Sequence, residues 1–181
     1  MRRAASTGFR VAEAASIDLD LKDVVGDLAR LATRLEDPSP VMAEIAQHLE
    51  LTTQRRFEKE RAPDGSTWIP SRRAQVEGGR TLTKTGALLR AIRSESGRDF
   101  AAVGVGRSGG PGVYAAVHQF GATIKAKTAK GLRFSVPTAG GKRESIVVQS
   151  VTVPARPFLG LSTGDRSAVR GILQDYLEAA L

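Results

Sequence analysis

The sequence contains no cysteine and few aromatic residues. The absence of cysteine from its 181 residues excludes a disulfide framework and a thiolate metal site. Six Phe, two Tyr and one Trp are available to a chain that is 41% hydrophobic, so we predict an aliphatic core of Leu, Val, Ile and Ala. No apolar run approaches the ~18 residues that a membrane-spanning helix needs, and we therefore expect no membrane contact.

Motifs for catalysis and cofactor binding are also missing. The pattern Gly104-x-Gly106-x-x-Gly109 matches a dinucleotide fingerprint, but that site needs a βαβ unit and an acidic residue about twenty positions on. No Asp or Glu lies between Asp99 and Glu144. The two histidines, His48 and His118, lack metal-site spacing, and no Gly-x-Ser-x-Gly elbow is present. We predict no cofactor, no metal and no enzymatic activity.

The net charge of +8 is concentrated in the second half of the chain. Residues 91–181 carry 12 basic and 6 acidic side chains, and within 98–143 the only acidic residue is Asp99. A segment of this kind suits nucleic acid or an acidic protein surface. The alternative is a solvated loop.

We expect one domain, residues 17–181, with a basic loop at 126–143 and a flexible N-terminal arm at 1–16. The arm has arginines among alanines but not the continuous apolar region of a secretory signal. Directly after it, Ile17–Leu21 alternates apolar and acidic residues, which is typical of a short strand.

Helical periodicity is clearest near the two ends of the chain. Ser39 is predicted to cap the long second helix, with Pro40 at its first position, and Ser162 or Thr163 to cap the last. The expected buried stripe of the last helix is Val169, Ile172, Leu173, Tyr176 and Leu177. The predicted helices are 22–36, 40–61, a short one from Thr85 through Ile92, 113–120 and 165–180.

Short strands are expected between these helices, at 100–105, 122–125, 132–136 and 145–153, and residues 71–81 look like a mobile loop. Helices at both ends of a run of strands indicate an α+β fold. We expect the long helix and the C-terminal helix to pack on a small, mostly antiparallel sheet.

Two stretches, Tyr114–Gly121 and Val153–Leu161, carry the most specific patterns. In the first, an aromatic or apolar residue recurs every three positions, which places these side chains on one helix face before a glycine stop. In the second, two prolines fix the directions of Arg156 and Phe158. From the residues alone, these are core packing and a rigid connector.

Together, Tyr-Ala-x-x-His-Gln-Phe-Gly and the later Pro-Ala-Arg-Pro-Phe-Leu-Gly resemble the Mu-like phage virion-morphogenesis, or tail-completion, family. Three upstream segments match the same family in the same order: Arg56-Phe57, Pro63-Asp64-Gly65 with Trp68, and Leu82 with Thr85-Gly86-x-Leu88. The resemblance covers roughly residues 17–181. The chain departs from the family in the leading arm and in the 126–143 loop.

The resemblance implies a structural component of a phage or phage-tail-like particle. It would form a homo-hexameric ring at the head–tail junction or tail terminus, and would complete tails or join them to heads. Its expected partners are neighbouring neck, tail-tube or head-completion proteins, with assembly in the host cytoplasm. The alternative is a basic nucleic-acid-binding module, which explains the charge but lacks a stacking platform and a recognition helix.

Candidate interface residues are the polar, aromatic and basic side chains in or near these segments. Phe57 and its charged neighbours are either a subunit contact or a solvated helix end, and Trp68 either packs over a helix end or anchors an interface. We expect Phe158 to be structural and Arg156 to be interfacial, and any DNA contact of the lysines to be non-specific. The candidates are Arg56, Phe57, Trp68, His118, Gln119, Lys125, Lys127, Lys130, Arg156 and Phe158.

Overall fold

A computed structural model describes residues 22–106, 110–138 and 142–179. The predicted arm at 1–16, the predicted strand Ile17–Leu21 and the last three residues of the Gly104–Gly109 pattern lie outside these ranges. The fold is α+β, as predicted. Its elements in chain order are α1 (Lys22–Glu36), α2 (Ser39–Lys59), α3 (Arg72–Glu77), α4 (Ala87–Arg90), β1 (Ile92–Ser96), β2 (Ala101–Val105), α5 (Pro111–Phe120), β3 (Ala122–Lys125), β4 (Leu132–Pro137), β5 (Arg143–Val148), β6 (Ser150–Val153) and α6 (Thr163–Glu178).

The break between α1 and α2 is where it was expected, but its chemistry differs. Pro38, not Ser39, is the N-cap of α2, and no side chain caps this end. Ser39 is already helical, and its backbone N–H donates to Asp37 Oδ1 at 3.1 Å. The preceding Asp37 thus accepts one free N–H at this end, whereas the Ser39 side chain does not make the predicted capping hydrogen bond. At the other end, Glu60 takes a left-handed conformation that ends the helix.

The long helix α2 packs on the β1–β2 pair, as predicted, whereas the C-terminal helix α6 packs against α2. Val41, Ile45 and Leu49 form the buried face of α2. Leu173 and Leu177, expected in the buried stripe of α6, are exposed instead. The residues packed against the buried face of α2 are Met42, Ala101, Val103, Val169, Ile172 and Tyr176.

The strands form three separate two-stranded antiparallel sheets within the described ranges: β1–β2, β3–β6 and β4–β5. The strand predicted at 145–153 breaks at Gln149, because β5 pairs with β4 whereas β6 pairs with β3. Strand β1 was not predicted. Ile92, assigned to a helix by its spacing, begins β1 and is fully buried.

The segment 71–81 is not the plain mobile loop that its composition indicated. It contains α3, whose cap Ser71 accepts a hydrogen bond from Ala74 N–H at 3.2 Å. The segment 126–143 contains strand β4, which confirms the strand predicted at 132–136, and the first residue of β5. Arg143 Nη1 donates to Glu77 Oε1 at 2.8 Å, which links the β4–β5 ribbon to α3.

Helix α5 is present where predicted, but most of its apolar face points outward. Ala115 is its buried residue, whereas Tyr114 and Phe120 are exposed, so the predicted core role of this face is wrong. Gly121 follows with φ of +73°, and a Cβ there would lie 2.9 Å from the Ala155 nitrogen. The close approach of the connector, as well as the backbone conformation, requires glycine here.

In the described part of the chain, no helix is both long and apolar enough to span a bilayer.

Candidate functional site

Three aromatic candidates meet in the protomer's own core. Phe57, Trp68 and Phe158 are all buried, and the Phe57 ring centroid lies 5.3 Å from each of the other two. Trp68 Nε1–H donates to the Pro157 carbonyl at 2.9 Å. Phe158 is thus structural, as expected, and Trp68 packs inside rather than anchoring an interface. Phe57 is neither a subunit contact nor part of a solvated helix end, because a chain with few large rings uses these three to fill its interior.

Arg56 is buried beside this cluster rather than presented to a partner. Its Nη1 donates to the Phe158 carbonyl at 2.7 Å, and its Nη2 donates to Asp165 Oδ2 at 2.5 Å. These charge-assisted bonds join α2 to the connector and to the start of α6. Its predicted interface role is corrected in the same way, because the guanidinium is used internally.

Asp165 also caps its own helix. Ser162 Oγ accepts from Asp165 N–H at 3.0 Å, and Asp165 Oδ2 accepts from Ser162 N–H at 2.8 Å, which makes a reciprocal capping box. Burial alone would raise the pKa of Asp165, but the Ser162 hydrogen bonds and the Arg56 charge outweigh it, so the pKa lies below its ordinary value. Burial lowers the pKa of Arg56, and the Asp165 carboxylate partly offsets this.

Arg156 is held inside by backbone carbonyls. Its Nε donates to the Ile69 carbonyl at 2.7 Å, and its backbone N–H donates to the His118 carbonyl at 2.6 Å. Burial lowers the pKa of this guanidinium. The two flanking prolines fix its direction, as predicted, but that direction is inward, so the interfacial assignment of Arg156 is corrected.

Gln119 clamps the connector onto α5. Its Oε1 accepts from the N–H groups of Phe158 and Leu159, both at 3.0 Å, and its Nε2 donates to the Leu159 carbonyl at 2.9 Å. Because three backbone groups occupy this amide, Gln119 acts inside the protomer. No pattern near Gln119 in the sequence indicates that its side chain binds the backbone of the connector.

His118 is half-buried and stacks edge-on against Tyr114, with ring centroids 5.9 Å apart. Burial, followed by the nearby Arg156 charge, lowers its pKa, so the ring is neutral at pH 7. Its Nδ1 is buried and has no hydrogen-bond partner within the described residues. Across those same residues, no group of three or more His, Cys, Asp or Glu is arranged to hold a metal ion.

The lysine candidates are the ones that remain on the surface. Lys125 ends β3, and Lys127 and Lys130 lie in the turn before β4; all three are exposed. Arg133 and Lys142 are also exposed, and we call these five basic side chains on and around strands β3 to β5 the basic ribbon. The contact predicted for these lysines stays a prediction.

In this small α+β protein, hydrogen bonds and packing within the protomer hold together α2, α5 and the connector at 153–161. Apolar and basic side chains remain exposed on the described surface. A sequence model of the phage virion morphogenesis family matches residues 19–178. The chain belongs to this family, which confirms the resemblance seen in the sequence.

Two relatives are similar over nearly their whole length. The chain is 28% identical over 157 residues to the Mu-like prophage FluMu G protein 2 of Haemophilus influenzae, covering 87% of this chain and 91% of that protein. It is 27% identical over 182 aligned positions to the putative capsid assembly protein G of Escherichia phage Mu, covering 91% and 99%. No solved structure matches the chain.

Proposed function

We propose that the protein is a non-enzymatic structural component of a phage or phage-tail-like particle that forms a homo-oligomeric, hexameric ring at the head–tail junction or tail terminus. Assembly takes place in the host cytoplasm, and the ring completes tails or joins them to heads. Membership of the virion morphogenesis family and the similarity to a putative capsid assembly protein support this proposal. The observation that carries the ring is the presence of two separate uncovered apolar faces.

The first face lies on α1. Val25, Leu28 and Leu35 are 61%, 58% and 57% exposed. The C-terminal end of this helix is joined to α6 by Arg34 Nη1, which donates to the Tyr176 carbonyl at 2.8 Å. Among the described residues no element covers these apolar side chains, and we assign them to a contact outside the protomer.

The second face lies on α5, where Val113 is 73% exposed and Phe120 is 78% exposed. A closed ring uses a heterologous contact, in which one patch of a protomer meets a different patch of its neighbour. Two distinct apolar faces on one chain meet this requirement. The basic ribbon then remains for an acidic surface on an adjacent neck, tail-tube or head-completion protein.

Light scattering on the protein alone, and cryo-EM of the particle that contains it, test the ring. Leu28→Ser with Phe120→Ser should abolish oligomers and particle completion while leaving the melting temperature nearly unchanged. Leu51→Ser is the matched control, because Leu51 is a comparably exposed leucine on α2. A protomer that stays monomeric inside the finished particle would refute the ring.

The second candidate is a basic nucleic-acid-binding module, which rests on the basic ribbon. Replacing Lys125, Lys127 and Lys130 by Ser separates the two. A structural protein should keep its fold, fail to join heads to tails, and bind duplex DNA only weakly with steep salt dependence. Tight DNA binding by the parent at physiological salt, with assembly unaffected by the triple change, favours the nucleic-acid module.

A further inference from the structure

A cavity of about 340 Å³ opens between the C-terminal end of α2 and the start of α6. Arg55, Lys59 and Arg61 stand at its rim, and the Arg56–Asp165 pair lies in its wall. Within that pair the two charges balance, so the three rim residues give the cavity a net positive charge. We call this cavity the basic pocket.

The rim charges are available to a ligand. Arg55 and Lys59 are exposed and have no hydrogen bond or ion pair to any residue that the structure describes, and Arg61 uses its Nη1 for the Gly65 carbonyl at 2.8 Å. Residues 55 and 59 are one helical turn apart, where like charges repel and weaken the helix. The repulsion between these two side chains does not stabilise the fold, and an anion bound between them would relieve it.

One wall of the basic pocket holds an unused polar atom. His48 Nε2 is buried and lacks a hydrogen-bond partner in the described ranges. It lies 3.7 Å from Asp165 Oδ1, which is beyond hydrogen-bond distance. An acceptor entering the pocket would satisfy this nitrogen as a donor, in addition to meeting the rim cations.

We propose that the basic pocket binds a carboxylate side chain on an acidic peptide segment of a partner protein, an inference that rests on the proposed role in particle assembly. Charge complementarity selects an acid, and arginine can pair with a carboxylate bidentately. The concave shape and the apolar atoms of Ala62 and Pro63 suit one extended peptide. A DNA duplex would span the rim without entering, and an inorganic phosphate ion would not use the apolar atoms of Ala62 and Pro63.

Calorimetric titration at low salt with a hexaglutamate peptide tests the pocket directly. Arg55→Glu with Lys59→Glu should weaken peptide binding about tenfold or more, because two exposed attractions become repulsions. Arg170→Glu, which reverses an exposed arginine of α6 outside the pocket lining, is the control for position and should bind as the parent does. Unchanged melting temperatures would show that both variants fold.

Inorganic phosphate and a short DNA duplex are the competing probes, and neither should displace the peptide at equal concentration. Displacement by phosphate, displacement by the duplex, or equal loss in Arg170→Glu would each overturn the carboxylate assignment. Particle assembly separates this inference from the proposed function. If deleting the protein leaves assembly intact, the proposed function fails; if assembly needs the protein but tolerates the double reversal, only the pocket inference fails.

Discussion

Removing the carboxylate of Asp165 should strongly destabilise the fold. Asp165→Asn keeps the side-chain volume and an oxygen that can still accept the Ser162 N–H, but it leaves the Arg56 guanidinium buried without a counter-charge. Breaking a buried ion pair by removing one partner costs about 3–5 kcal/mol. Asp175→Asn, an exposed acid on the same helix, is the control and should stay within about 0.5 kcal/mol of the parent.

The reverse truncation, Arg56→Met, should cost somewhat less. Asp165 then keeps its hydrogen bonds from Ser162, although the Phe158 carbonyl loses its donor, at about 1–3 kcal/mol for a buried unsatisfied group. Combining Arg56→Met with Asp165→Asn removes both charges from the interior. The double variant should therefore be no less stable than Asp165→Asn alone, which corresponds to a coupling energy of about 2 kcal/mol or more.

Urea unfolding followed by tryptophan fluorescence measures the parent, the two single variants, the double variant and the Asp175→Asn control. Trp68 is the only tryptophan in the sequence and is packed against Phe57, so its emission reports on the core that the network holds together. Equal denaturant slopes would justify comparing the free energies. If the two single costs add in the double variant to within about 0.5 kcal/mol, the pair is not coupled and the argument fails.

Three other predictions concern the same core. The depressed pKa of Asp165 contributes stability that is present above its unfolded value and lost as pH falls below about 4, so Asp165→Asn should flatten the acid limb of a stability–pH curve. Phe158→Ala should cost about 3–5 kcal/mol, or roughly 6–20 °C by scanning calorimetry, whereas Phe120→Ala should change little. Arg156→Ala should cost about 2 kcal/mol in urea unfolding, because the Ile69 carbonyl loses its donor; a cost no larger than that of Phe120→Ala would restore a surface role for Arg156.

Local periodicity was enough to locate most helices but not to pair the strands. Helix α1 begins and ends where its pattern indicated, because its own apolar spacing determines it. Strand β1 was missed because Ile92 continues the spacing of Leu88 and Leu89, and only its burial beneath other elements distinguishes it. The break at Gln149 depends on which partner each half of the segment finds, and that is decided by distant parts of the chain.

The residues of the candidate site could be named from the sequence, but whether their side chains point into the core or toward solvent could not. Charged residues are almost never fully buried unless paired, so a sequence argument places Arg56 and Arg156 outside. The partners of Arg56 are 102 and 109 residues away, at Phe158 and Asp165. No local pattern links such distant positions, and the capping acid at Asp165 gave no sign that it also neutralises a buried cation.

The segments that carry the family resemblance converge on one cluster. Phe57, Trp68, Leu88 and Phe158 belong to the same hydrophobic core, and Leu82 packs against it, although the resemblance was read from separate stretches. Side chains that build this core stabilise the fold, but they are not accessible to a binding partner. We therefore expect partner choice to depend on surfaces outside these buried side chains, and the surfaces that we propose are the apolar faces of α1 and α5, the basic ribbon and the basic pocket.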